Sequence, residues 1–134
     1  MPRFAFRLVN VFAENVLEGN PLCVFEDARG LDDGVMQALA LQMNLSETTF
    51  LFPAEAPHAT AKVRIFTPTF EMPFAGHPTV GTAVALSELG MSAANDNNDT
   101  DASIIILDEP IGSVRCLVSK DARGSFAEFD LPKL

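Results

Sequence analysis

Two short runs of this chain hold residues whose types could do chemistry. The first is Leu45-Ser46-Glu47-Thr48-Thr49-Phe50, which sets an acid at the edge of an otherwise apolar segment. Burial there would raise the carboxyl toward neutrality, as a group that both gives and takes protons requires. The plainer reading of Glu47 is an exposed glutamate opening a strand. The second run is Gly76-His77-Pro78-Thr79, at the mouth of an uncharged apolar stretch. If that stretch is a helix, its first turn offers unpaired backbone N–H groups and the positive end of the dipole. A carboxylate or phosphate can dock there beside the imidazole. A capping or packing histidine is the alternative for His77.

Other chemistries find less support. Glu71, in Thr69-Phe70-Glu71-Met72-Pro73, suits a turn or a partner for Arg64. His58 follows Glu55-Ala56-Pro57 in a loop and is expected in solvent, so it shares no zinc with His77. Cys23 and Cys116 lie in strand-like runs far apart in sequence, away from Gly76-His77 and from any evident helix N-terminus. They read as inert core thiols in a reducing compartment. The chain contains no Walker loop, no dinucleotide glycine fingerprint and no run of metal ligands.

The elements that must position Glu47 and His77 follow from periodicity. From Thr79 to Ser87 there is no charge, and Val80, Ala83, Val84, Ala85, Leu86 and Leu89 leave almost no polar face. Such a helix belongs inside a core, because a bilayer span takes about 20 residues. Pro78 suits its first position and Gly90 its C-cap. Asp32 or Asp33 caps an earlier helix running to about Asn44, with Val35, Met36, Leu39 and Met43 as its stripe. Strands are predicted over Phe4–Phe12, with Phe4, Phe6 and Leu8 on one face, and over Leu22–Phe25, Leu45–Phe52 and Ala61–Thr67. Three more follow over Ser103–Leu107, Gly112–Ser119 and Ser125–Leu131, with turns at Glu109-Pro110 and Arg123-Gly124. Met91 to Asp101 is polar and aperiodic, a surface loop without calcium-loop spacing. Strands, helix, strands, long helix, strands make an α+β domain: a curled, mainly antiparallel sheet or barrel around a buried central helix.

With 134 residues the chain is one ordinary domain, and 48% hydrophobic with 20% charged residues is a globular composition. A net charge of −9 without Lys/Arg clusters argues against nucleic acid as a partner. No apolar run approaches membrane length, and the alternating Phe4-Ala5-Phe6-Arg7-Leu8-Val9 begins at once without a leader, so the cytoplasm is the expected location.

Several motifs occur together and in order: Asn10-Val11-Phe12, Gly19-Asn20-Pro21, Ser46-Glu47-Thr48, Arg64-Ile65-Phe66-Thr67-Pro68 with Glu71, Pro73-Phe74-Ala75-Gly76-His77-Pro78-Thr79 and Gly81-Thr82-Ala83. From about Phe4 to Gly90 the chain closely resembles the N-terminal lobe of the PhzF family of isomerases, within the diaminopimelate-epimerase-like fold. That resemblance implies a cofactor-free, metal-free enzyme that moves a proton on a small carboxylated substrate. Glu47 would shuttle the proton, and His77 would bind or polarise the substrate. Asn20, Gly76, Pro78 and Thr79 would hold it, Gly76 standing where related epimerases and racemases carry a catalytic cysteine. A thiol-dependent, proline-racemase-like reaction is disfavoured by that glycine. The family usually has an aspartate at the place of Asn10.

Family members have two similar lobes with the site in the cleft between them, and the second lobe adds an aspartate and a serine. Residues 1–134 correspond to one lobe, whose cleft wall would be an exposed apolar patch. The expected partner is therefore a second copy in a homodimer, or a separately made second lobe. The competing expectation is a catalytically inactive half-protein that serves as a binding or assembly module.

Overall fold

In the computed structural model the apolar stretch forms the helix Gly76–Glu88 (α2), and most of its length is buried. The structure describes residues 2–13, 15, 17–91, 102–121 and 124–130. The expected loop at 92–101, and the positions Arg123 and Leu131, lie outside them. The C-terminus of α2 is closed in a glycine-dependent way. Gly90, at φ +79°, lets its N–H reach Ser87 O at 3.0 Å and lets the Met91 N–H reach Leu86 O at 3.0 Å. The N-terminus begins earlier than expected. Gly76 is the first helical residue and Pro78 the third, after an extended Ala75 that supplies no side-chain cap. Proline is tolerated there for the same reason as at the first position: no donor in the first turn has an intrahelical acceptor.

Around α2 runs one sheet. Its strands are Phe6–Val11 (β1), Asn20–Phe25 (β2), Thr48–Phe52 (β3), Ala61–Phe66 (β4), Glu71–Met72 (β5), Ala102–Glu109 (β6), Gly112–Asp121 (β7) and Gly124–Phe129 (β8). The order is β1-β2-β3-β4-β6-β7-β8, with the short β5, which sequence pattern alone missed, added on β4. Pairing is antiparallel except at β2·β3 and β4·β6. Those two are the parallel neighbours that need crossovers. The helix Asp33–Met43 (α1) supplies one and α2 the other. The path ends at β1 and β8, which do not pair with each other among the described residues, so the sheet is a curled half-barrel with α2 in its hollow.

Both faces of the central strands are covered. Leu22, Val24, Leu51, Val63 and Ile65 pack inward with Ala83 and Leu86 of α2 and with Ile105, Leu107, Val114 and Val118. Cys23, Phe25, Phe50 and Phe66 face the other way onto Met36 and Ala40 of α1. Phe25 and Phe50 stack at 4.9 Å, and Phe66 meets Phe50 edge-on at 5.4 Å. Two covered faces explain why Leu22-Cys23-Val24-Phe25 of β2 reads as a continuous apolar run instead of an alternating one.

Two expectations need correction, the place of Val35 and the start of β3. Phe6 and Leu8 share a face of β1 as the alternation predicts; that face points outward, with Leu8 62% exposed, while Val11 is buried against α2 and Val9 packs beside it. The cause is the close approach of α2. A Cβ on Gly81 would lie 2.7 Å from Val11 Cγ2 and 2.6 Å from Leu22 Cδ2, too near for phenylalanine on the inward face. Val35 of α1 is exposed, since Met36 and Ala40 take the buried line. The strand expected from Leu45 starts only at Thr48, because Asn44 leaves α1 in the left-handed region and 45–47 form the return. The α1 cap is Asp32, whose carboxylate accepts the Val35 N–H at 2.8 Å. Among the described residues no helix is long and apolar enough to cross a membrane.

Candidate active site

Glu47 is the residue before β3 and His77 the second residue of α2, so their meeting depends on how helix and strand are tied. The Thr49 and Thr82 hydroxyls, one on each element, hydrogen-bond at 2.9 Å in the buried interior. At the end of that seam, His77 Nδ1 lies 2.8 Å from Glu47 Oε2, and His77 Nε2 lies 2.9 Å from the backbone carbonyl of Asn20 at the start of β2. The two side chains are only 10% and 17% exposed.

The hydrogen inventory of this chain of groups is constrained. A carbonyl only accepts, so Nε2 must carry a hydrogen. Nδ1 and Glu47 then share the other one. Either the neutral acid donates to Nδ1, or an imidazolium donates to the carboxylate. In both forms the pair is neutral overall and holds a single transferable proton, and the Asn20 carbonyl fixes the ring against rotation. That is the equipment of an acid/base group that gives a proton up and takes it back.

Beside the imidazole, the first turn of α2 presents the amides of Gly76 and His77, which no intrahelical carbonyl can reach. They lie at the positive end of the helix, where an anion is favoured. Gly76 leaves room at this spot: a Cβ there would meet Phe129 Cζ at an ordinary 3.6 Å. Phe129 packs edge-on to Phe74 at 5.5 Å. Phe12 stands against the imidazole with ring centroids 6.1 Å apart, and it is 70% exposed although its backbone is in the left-handed region at φ +59°. A bulky residue held in that conformation beside a polar pair is a common mark of a working site.

His77 thus brings Glu47 and the Asn20 carbonyl together, with Gly76 the residue before it. Pro78 and Thr79 lie on the inner side of the same turn. Pro78 is buried, and the Thr79 hydroxyl, 1% exposed, contacts Ala75 O at 2.7 Å and Glu109 Oε2 at 2.9 Å. Glu109 was missed in the sequence because Glu109-Pro110 has the appearance of an ordinary turn, and Phe12 because its strand pattern hides the left-handed bend. Burial pushes the Glu109 carboxyl up to about 7.

Elsewhere, Arg64 grips Glu71 through two 2.7 Å contacts and reaches Asp33 at 2.6 Å. His58 is exposed. The Cys23 and Cys116 thiols are free and buried, pushed up to about 11 and about 12 by desolvation, so neither is a ready nucleophile.

A family model described as phenazine biosynthesis-like protein (PhzC-PhzF) matches residues 9–133. The chain is 50% identical to an uncharacterized isomerase of Mesorhizobium japonicum over 129 residues, 96% of this chain and 40% of that protein. It is 40% identical to the trans-2,3-dihydro-3-hydroxyanthranilate isomerase of Pseudomonas aeruginosa over 107 residues, 80% of this chain and 34% of that one. The chain therefore spans well under half the length of these relatives. Among solved structures, one described as a predicted epimerase from Pseudomonas aeruginosa superposes with a TM-score of 0.81 at 36% identity, covering 96% of this chain and 43% of that one. A probable proline racemase from Agrobacterium radiobacter superposes at 0.64 with 18% identity, covering 90% of this chain and 39% of that one, a likeness of fold alone. The shared architecture is the diaminopimelate-epimerase-like fold.

Proposed function

This chain belongs to the PhzC-PhzF family of phenazine biosynthesis-like proteins, and from that premise we propose that it is one lobe of a cofactor-independent isomerase acting on a small carboxylated substrate. The observation that carries the proposal is the Glu47–His77–Asn20 chain, one transferable proton held beside the open amides of α2. In an isomerisation a proton leaves one carbon and returns to another while a double bond shifts between them. Nothing is oxidised and nothing is consumed. The substrate carboxylate docks on the amides of Gly76 and His77. Glu47, as the carboxylate, takes the proton, and the charge left on the substrate is balanced by the imidazolium of His77. Glu47 then returns the proton at the second carbon.

Completion of the cleft belongs to the same proposal. Phe6, Leu8, Phe12 and Phe126 are exposed large apolar side chains on β1, its following turn and β8, a surface suited to being covered. A second copy in a homodimer, or a separate second lobe, covers that face and adds the groups this lobe does not carry.

A second reading is a catalytically inactive module that binds small carboxylates or assembles with a partner, favoured by the exposed Phe6, Leu8, Phe12 and Phe126. Deuterium transfer from heavy water into carbon positions of trans-2,3-dihydro-3-hydroxyanthranilate and of small cyclic amino acids, followed with protein sized by light scattering, separates the two. The isomerase reading expects exchange that rises with self-association and falls about 10²–10⁴-fold in Glu47→Gln. A strict monomer without exchange, unchanged by Glu47→Gln, supports the second reading instead.

A further inference from the structure

Glu109 ends β6 beneath the first turn of α2. It is 3% exposed, and its Oε1 has no hydrogen-bond partner among the described residues. Its Oε2 is 2.9 Å from Thr79 Oγ1, which is itself 2.7 Å from the carbonyl of Ala75. The threonine hydroxyl has one hydrogen, and the shorter contact goes to a carbonyl that can only accept. The Glu109 contact then closes only if Glu109 is the donor, which makes it a neutral carboxylic acid with Oε1 as its carbonyl oxygen. A bare buried carbonyl is far cheaper than a bare buried carboxylate.

The surroundings agree. The cations of β4 beside it are occupied, Lys62 by Glu55 and Arg64 by Asp33 and Glu71. Asp108 on its own strand adds a like charge. From β7 comes Cys116, whose thiol is neutral, and from α2 Thr79 makes the contact. Burial pushes the carboxyl up to about 7. The clasp matters because Ala75 brings no capping side chain and the backbone bond from the Thr79 N–H to Ala75 O is long, at 3.3 Å. The 2.7 Å hydroxyl bond is the shorter tie across the turn that carries Gly76 and His77.

We infer that Glu109 is a positioning residue: as a neutral acid it donates to Thr79, so that the Thr79 hydroxyl stays on Ala75 O and holds the amides and the imidazole of the α2 mouth in place. When Glu109 ionises it draws the Thr79 hydrogen to itself and the clasp opens. Its value to the reaction rests on the proposed role of Glu47 and His77, but the device itself can be read without substrate.

The test is an NMR titration of the whole chain from pH 5 to 9, following Glu109 13Cδ, Ala75 13C′ and the Gly76 and His77 amides. In the wild type the Ala75 and amide signals are expected to show a step at the midpoint of Glu109 13Cδ. In Glu109→Gln that step is lost and the low-pH positions persist, because the amide donates to Thr79 as the acid did. Thr79→Val, which removes the clasp and keeps the shape, shows no step and sits near the high-pH positions throughout. Signals that ignore the Glu109 midpoint, or a Glu109→Gln that keeps the step, overturn the inference. Because no substrate enters, failure of the isomerase reading shows separately, as absent exchange with this coupling intact.

Discussion

Replacing Glu109 by glutamine should change how stability depends on pH, by an amount the structure sets. Burial moves the carboxyl from an ordinary 4.5 to about 7. Between those values the folded protein still holds a proton that the unfolded chain has released. Stability from this group is therefore greatest below pH 4.5, is lost as pH rises through 7, and is level above that. At about 1.4 kcal/mol for each tenfold change, an ionised Glu109 in the fold costs about 3 kcal/mol. Glutamine does not titrate. Its second N–H, buried where Oε1 or Oε2 now finds no further partner, costs roughly 1–3 kcal/mol at every pH. Urea unfolding of both proteins at pH 5 and pH 8.5 isolates the effect, because all other groups cancel between them. The difference in unfolding free energy should shift by about 2.5 kcal/mol in favour of glutamine on going to pH 8.5, the remainder being already lost by pH 5. A difference that is the same at both pH values would refute a buried, neutral Glu109.

The two glycines of α2 should respond in opposite ways to alanine. At Gly81 the new methyl would meet Val11 and Leu22 at 2.7 and 2.6 Å, so Gly81→Ala costs roughly 1–3 kcal/mol of overpacking, partly offset by about 1 kcal/mol of helix propensity, measured as a lower unfolding midpoint. At Gly76 the methyl finds ordinary contact at 3.6 Å, so Gly76→Ala leaves stability unchanged or raises it by about 0.4–1 kcal/mol. If carboxylates dock at the α2 mouth as proposed, the same methyl should weaken their binding, read by chemical-shift titration with a small carboxylic acid. Leu8→Ser together with Phe126→Ser, both outward on the sheet edges, should reduce self-association in sedimentation while changing unfolding by no more than about 0.5 kcal/mol for each site.

Much of this architecture was legible because its signals are local. The uncharged run after Gly76 could only be a core helix, Asp32 and Asn44 bracket α1, and Gly90 closes α2. The ordered motifs around Glu47 and His77 pointed to one family. What stayed hidden depends on contacts distant in sequence. Which face of β1 turns inward is decided at Gly81, on a helix 70 residues later, and not by the size of Phe6 or Leu8. The short β5 exists only because Met72 and Glu71 pair with Ile65 and Phe66. Glu109 becomes unusual only once Thr79 is folded over it. Phe12 looked like the end of a strand, yet a left-handed turn swings it beside the imidazole.

The central claim is that Glu47 and His77 hold one movable proton between them, with the Asn20 carbonyl deciding which nitrogen takes part. The 15N signals of the His77 ring, compared between the wild type and Glu47→Gln, measure this directly. Nε2 is expected to carry its hydrogen, and Nδ1 to be the nitrogen whose signal responds to the loss of Glu47. A ring whose hydrogen sits on Nδ1 with Nε2 bare, indifferent to Glu47→Gln, would contradict it.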